Sequence, residues 1–175
     1  MIKFLPLFLF LSLPCLAALE DEKEIKAIEK AHAAVDSVKK EFKQRLMEAV
    51  QTGDLEKAIP SCKIKVPKPK NMKVGRTSHR LRNPNNAPPE WTKAYLEKFS
   101  KAKAEDIPKY VITPLGKNRY GYMQPIFVEP ICLNCHGRYV AKDVKAAIRK
   151  EYPKDMAINF DVGDFRGLIW LEFEN

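Results

Sequence analysis

Cys132-Leu133-Asn134-Cys135-His136 is the most constraining stretch of this chain. C-x-x-C-H is the attachment motif of c-type haem. Two thiols three residues apart can each form a thioether to one haem vinyl group, and the imidazole that follows is then held beneath the iron. A chain carrying this motif has to fold around one flat, apolar macrocycle with two carboxylates at its edge. The motif therefore predicts one covalent haem c with His136 as axial ligand. Two other readings were weighed. A redox dithiol belongs at a helix start in a βαβ setting, whereas this motif follows Val128-Glu129-Pro130-Ile131. A structural zinc would need a fourth ligand beside Cys132, Cys135 and His136, which Cys62 could supply. Adjacent Cys135 and His136 are an awkward pair for one tetrahedral ion.

The N-terminus fits the same chemistry. Lys3, the apolar run Phe4 to Leu13 and the small-residue end Cys15-Leu16-Ala17 read as a secretory signal peptide. The apolar run is too short to span a bilayer. Cleavage is expected after Ala17 or Ala18, giving a signal peptide at 1–17, a single domain at 18–175, a periplasmic location and no stable membrane insertion afterwards. Cys62 is then an odd cysteine, so disulfides do not organise the fold.

The remaining length suits one hydrophobic core. The formal charge of +9 reads either as a solvated surface or as a surface for an acidic redox partner. No nucleic-acid motif accompanies it.

Apolar residues at three- and four-residue steps (Ile25, Ile28, His32, Val35, Val38, Phe42, Leu46, Ala49) predict one long helix over 20–50. A short helical turn is expected after Gly53, with Leu55, Ala58, Ile59 and Cys62 on one side. Residues 63–90 are basic and punctuated by proline, which predicts extended chain and turns. Pro88-Pro89 opens a helix to about Ala102, with Trp91, Tyr95 and Phe99 inward. Strands are expected at 110–112, at 119–128 with Pro125 as a defect, and at 168–173, with a helix over 143–152. Helices first and antiparallel strands later give an α+β domain.

The blocks Val74-Gly75-Arg76-Thr77-Ser78, Arg82-Asn83-Pro84-Asn85-Asn86-Ala87-Pro88, Gln124-Pro125-Ile126 and Gly163-Asp164-Phe165-Arg166-Gly167, together with the haem motif, resemble a family of bacterial single-haem c-type proteins. That family was once described only as a domain of unknown function, and it also occurs fused to sensor kinases. The resemblance runs from about residue 25 to the end. It implies a PAS-like antiparallel sheet with a long N-terminal helix and flanking helices. It also implies thioethers at Cys132 and Cys135, His136 as proximal ligand, and Cys62 as a second axial ligand.

From the residues alone the second axial position stays open among Cys62, Met72, Met123, Met156, His79 and His32. Thiolate would lower the iron potential and methionine would raise it. Met123 and Met156 read as fillers, His32 as a packed residue, and His79 as solvent-exposed. Arg76, Arg80 and Arg82 are candidates to pair the haem propionates, because arginine binds carboxylates bidentately. Trp91 and Trp170 read as core aromatics. The expected function is a periplasmic redox or diatomic-gas sensor signalling to a separate protein, with the long helix offering a homodimer interface. A small electron-transfer cytochrome is the alternative. No histidine–arginine acid–base pair beside the motif argues for an enzyme.

Overall fold

A computed structural model describes residues 15–53, 55, 59 and 72–174. Among the described residues the elements are, in chain order, helix α1 (Cys15–Gln51), strand β1 (Met72–Thr77), helix α2 (Glu90–Lys101), strands β2 (Val111–Gly116) and β3 (Arg119–Phe127), the single-turn helix α3 (Leu133–His136), helix α4 (Lys142–Glu151) and strand β4 (Phe165–Glu174). The strands form one antiparallel sheet in the order β1-β4-β3-β2. This is the α+β, PAS-like architecture with a long first helix that the sequence predicts. No helix among the described residues is long and apolar enough to cross a membrane.

Strand alternation splits the core into two layers. Tyr122, Ile169, Leu171 and Phe173 face α1 and pack on Ala31, Val35 and Val38. Met123, Leu168 and Phe165 face α2 and pack on Leu96, Phe99 and Ile107. Two smaller clusters support the region around α3 and α4. Ile59, Val144, Ile148 and Tyr152 form one, and Val128, Ala157 and Phe160 form the other.

Several boundaries differ from the sequence reading, each for a physical reason. α1 starts at Cys15, inside the segment read as signal peptide. Its apolar stripe narrows toward the N-terminus, where Ile25 is exposed and His32 lies at the exposed rim rather than in the core. β1 was read only as part of an extended, turn-rich segment. It is a true strand because β4 supplies a full ladder partner from Met72↔Phe173 to Thr77↔Leu168. β2 runs past Ile112 through Pro114, which an edge strand tolerates because no neighbour asks for that N–H. Pro125 in β3 pairs with Leu168 of β4 but lies beyond Met123, the last β3 residue paired with β2.

Gly167 is fixed by geometry. Its φ is +150°, and an added Cβ would stand 2.2 Å from the Thr77 carbonyl oxygen. It sits at a register shift between β3 and β4, where the chain bends beside the end of β1.

Candidate functional site

The motif itself is a tight turn. A 3-10 turn over Pro130–Cys132 runs directly into α3, which ends at Gly137. One helical turn separates Cys132 from Cys135, so both side chains share a face. Both are half-buried free thiols. Burial, the largest influence, pushes the Cys132 thiol above its ordinary range. Redox-active dithiols need the opposite shift, so the dithiol reading loses its support here. Among the described residues no cluster of three His, Cys, Asp or Glu is placed to hold a metal ion.

His136 is oriented from behind. Its Nδ1 lies 2.7 Å from the Ala157 carbonyl oxygen. A carbonyl can only accept, so Nδ1 carries the proton and Nε2 keeps its lone pair. Burial, then Arg166 and Arg82, hold the imidazole well below its usual range, which keeps it neutral and able to donate to a metal. The segment 157–160 acts as a strap. Phe160 N–H donates to the His136 carbonyl at 3.0 Å, and the buried Phe160 ring stands edge-on to the imidazole.

Arg82 ties this strap to the motif. It is 8% exposed. It donates to the Cys135 carbonyl at 2.5 Å and to the Ala157 carbonyl at 3.4 Å, and it pairs with buried Asp155 at 3.2 Å. Asp155 accepts in turn from Ala157 N–H at 2.8 Å.

Cys132, Cys135 and His136 open on one cavity. Its apolar walls include Phe42 and Leu46 of α1, Ile126 and Phe127 of β3, Ile131 and Ile169. Arg76, Arg82, Arg166, Lys39 and Lys43 also line it. Arg82 is committed to Asp155, and Lys43 pairs with Glu129 at 2.9 Å. Arg76 stacks on Phe42 at 4.7 Å. Arg166 donates to Ser78 Oγ at 2.8 Å and forms no ion pair with a carboxylate among the described residues. Burial, with Arg76 and Arg82 adding to it, pulls its guanidinium down to about 9, so it remains charged at neutral pH.

The sequence-predicted residues divide accordingly. Cys132, Cys135, His136, Arg76 and Arg82 are brought together at the cavity. Arg80 is not among its lining residues. It lies 3.4 Å above the Phe160 ring and donates to the Ile158 carbonyl at 2.8 Å, so it braces the strap from outside. Cys62 lies outside the described residues. No methionine is among the lining residues. Met123 faces α2 on the opposite side of the sheet, and Met156 is exposed. His79 stacks on Phe165, and His32 bonds Tyr122; neither lines the cavity. Arg166, Thr77 and the α1 stripe Lys39, Phe42, Lys43 and Leu46 went unrecognised as site residues. Arg166 stands in one of the recognised sequence blocks, which was its only signal.

The cavity fits a haem on three counts. Its walls are apolar, as a macrocycle requires. Arg166 is a half-buried cation with no carboxylate partner among the described residues. Thr77 Oγ1 is buried with no hydrogen-bond partner among the described residues, as a donor awaiting a ligand oxygen would be.

A four-stranded antiparallel sheet, a long first helix and a thiol pair sharing an apolar cavity with a basic edge define the class. The chain belongs to the Tll0287-like family, whose model matches residues 17–173. Among solved structures it is similar to the crystal structure of the cyanobacterial haem protein Tll0287, at 22% identity and a TM-score of 0.62, covering 86% of this chain and 96% of that one. A search of curated proteins gave no match.

Proposed function

We propose that the protein is a periplasmic, non-enzymatic, single-haem c-type protein that senses a redox state or a diatomic gas and signals to a separate partner. The observation that carries this reading is the convergence of both thiols and the free Nε2 of His136 on one apolar cavity. Cys132 and Cys135 would hold the haem through thioethers to its two vinyl groups. His136, its ring proton on Nδ1 committed to the Ala157 carbonyl, would offer Nε2 to the iron. Arg76, Arg166 and Thr77 would hold the two propionates, and Arg82 keeps the motif on its strap. Cys62 would be the other iron ligand. When bound, the haem provides a one-electron couple and an iron position whose ligation can change.

The contact of α1 with the site supports sensing. The same helix that lines the cavity is tied by Lys43 to Glu129, three residues before Cys132. A shift in the motif therefore pulls on a helix 37 residues long, whose exposed Ile25 and Met47 suit a homodimer contact. The test is a set of visible spectra of the exported protein, oxidised, reduced, and reduced under carbon monoxide. A band shift under carbon monoxide supports gas sensing. A low-spin spectrum untouched by the gas refutes gas sensing and leaves redox sensing or, through the +9 surface, electron transfer to an acidic partner.

A further inference from the structure

A second polar cluster lies between α1 and β3, built on a histidine the site does not use. His32 Nδ1 stands 2.6 Å from the Tyr122 hydroxyl, and its Nε2 stands 3.2 Å from Asp36 Oδ2. Gln124 Nε2 lies 2.8 Å from the same hydroxyl and 3.3 Å from Asp36 Oδ1. Gln124 Oε1 accepts from Lys39 Nζ at 3.0 Å. Tyr122 and Gln124 are 0% and 4% exposed, so water cannot serve their polar atoms. Lys39 lines the cavity, and His32 is at the rim. The chain of bonds thus joins an exposed imidazole to the wall of the candidate site.

The donors and acceptors allow one direction for each state of His32. With His32 neutral, Nε2–H donates to Asp36 and Nδ1 accepts the Tyr122 proton. The Tyr122 oxygen then accepts from the Gln124 amide, and the Gln124 oxygen accepts from Lys39. Every group is satisfied. Adding a proton makes Nδ1 a donor, so the Tyr122 oxygen must accept from it and send its own hydrogen elsewhere. The acceptor within reach is Gln124 Oε1, after a half-turn of the carboxamide. That turn sets the amide N–H₂ of buried Gln124 against the ammonium of exposed Lys39, two donors face to face, and the buried amide is the group for which an unmet bond is costly. The amide's bond to Asp36 is lost too, but Asp36 gains a charged partner in His32. The groups that face His32 are Asp36 from α1, Tyr122 and the Gln124 amide from β3, and Tyr110, edge-on at 6.1 Å between ring centroids.

We propose that protonation of His32 reverses this hydrogen-bond chain and releases Lys39 from Gln124 toward the cavity, so that the cluster is a proton-operated switch on the charge of the site. Its effect on a bound group rests on the functional reading above; the reversal itself does not. With a haem bound in the cavity, an ammonium released there would favour the reduced state, so acidification would raise the midpoint potential.

The experiment is a pH titration of the isotopically labelled holoprotein by NMR, following the His32 ring, the Gln124 side-chain amide and Lys39 Nζ, with midpoint potentials measured over the same range. The amide and lysine signals are expected to move with the same midpoint as His32, and Tyr122→Phe is expected to abolish their movement while His32 still titrates. The rise in potential on acidification should be lost in His32→Gln and in Lys39→Met. Static Gln124 and Lys39 signals while His32 titrates would overturn the proposal, as would an unchanged response in Tyr122→Phe. A chain that carried no haem would sink the functional reading instead, and the amide and lysine signals would still decide the switch.

Discussion

Arg82→Met is the sharpest perturbation of the site that leaves Cys132, Cys135 and His136 unchanged. Arg82 and Asp155 are buried to within 8% and 7% exposure of their side chains. Removing the guanidinium strands a carboxylate in a protein interior and takes one donor each from the Cys135 and Ala157 carbonyls. Breaking one half of a buried pair costs about 3–5 kcal/mol. Each kcal/mol shifts the melting temperature of a domain of this size by roughly 2–4 °C, so a drop of about 6–20 °C is expected. Arg82→Met with Asp155→Leu removes both charges and should cost much less than the sum of the single changes, because neither ion is left alone. Thermal and urea unfolding of the four proteins in the cycle supply the numbers. A loss under about 1 kcal/mol for Arg82→Met, or strict additivity in the cycle, would refute the argument that this pair latches the motif to its strap.

Three further outcomes are expected. Gly167→Ala should cost about 3 kcal/mol in urea unfolding, since φ +150° and the Thr77 carbonyl 2.2 Å from the new Cβ both oppose it; an unchanged midpoint would contradict the bend. Burial, then Arg80 and Arg166, hold His79 below its ordinary value. The unfolded chain therefore takes up this proton first, and the stability contributed by neutral His79 is present above pH about 6.5 and falls as the pH drops below it. His79→Gln should flatten part of that fall, as thermal melts across pH will show. Arg166→Gln removes a cation from the cavity wall and should lower the midpoint potential of the holoprotein in redox titration; an equal or higher potential would place Arg166 away from the iron.

The sequence made the secondary elements legible where their signal is local. The helix expected to begin after Pro88-Pro89 is α2, Glu90–Lys101, because proline starts and apolar steps are properties of a few neighbouring residues. The helix expected over 143–152 is α4, Lys142–Glu151, for the same reason. β1 was missed as a strand because its pairing partner lies almost a hundred residues away on β4, and Gly75 and Arg76 weaken its local β signal. The haem motif was legible because its chemistry fixes its spacing. Its support was not. The Ala157 carbonyl behind His136 and the Arg82–Asp155 latch join distant segments through backbone atoms, which no side-chain pattern records. Arg80 was grouped with Arg76 and Arg82 because the three are close in the chain, yet the turn after β1 aims it at Phe160 on the outside of the strap. Arg166, from the far end of the chain, lines the cavity that Arg80 does not.

The central claim is a haem held covalently by Cys132 and Cys135 with His136 on the iron. Its most direct test is the intact mass of the denatured exported protein, beside that of the Cys132→Ala, Cys135→Ala double variant. The account expects the mass of the mature polypeptide plus one haem, and the bare polypeptide for the variant. A bare polypeptide from the unaltered chain, or haem retained by the variant after denaturation, would contradict it.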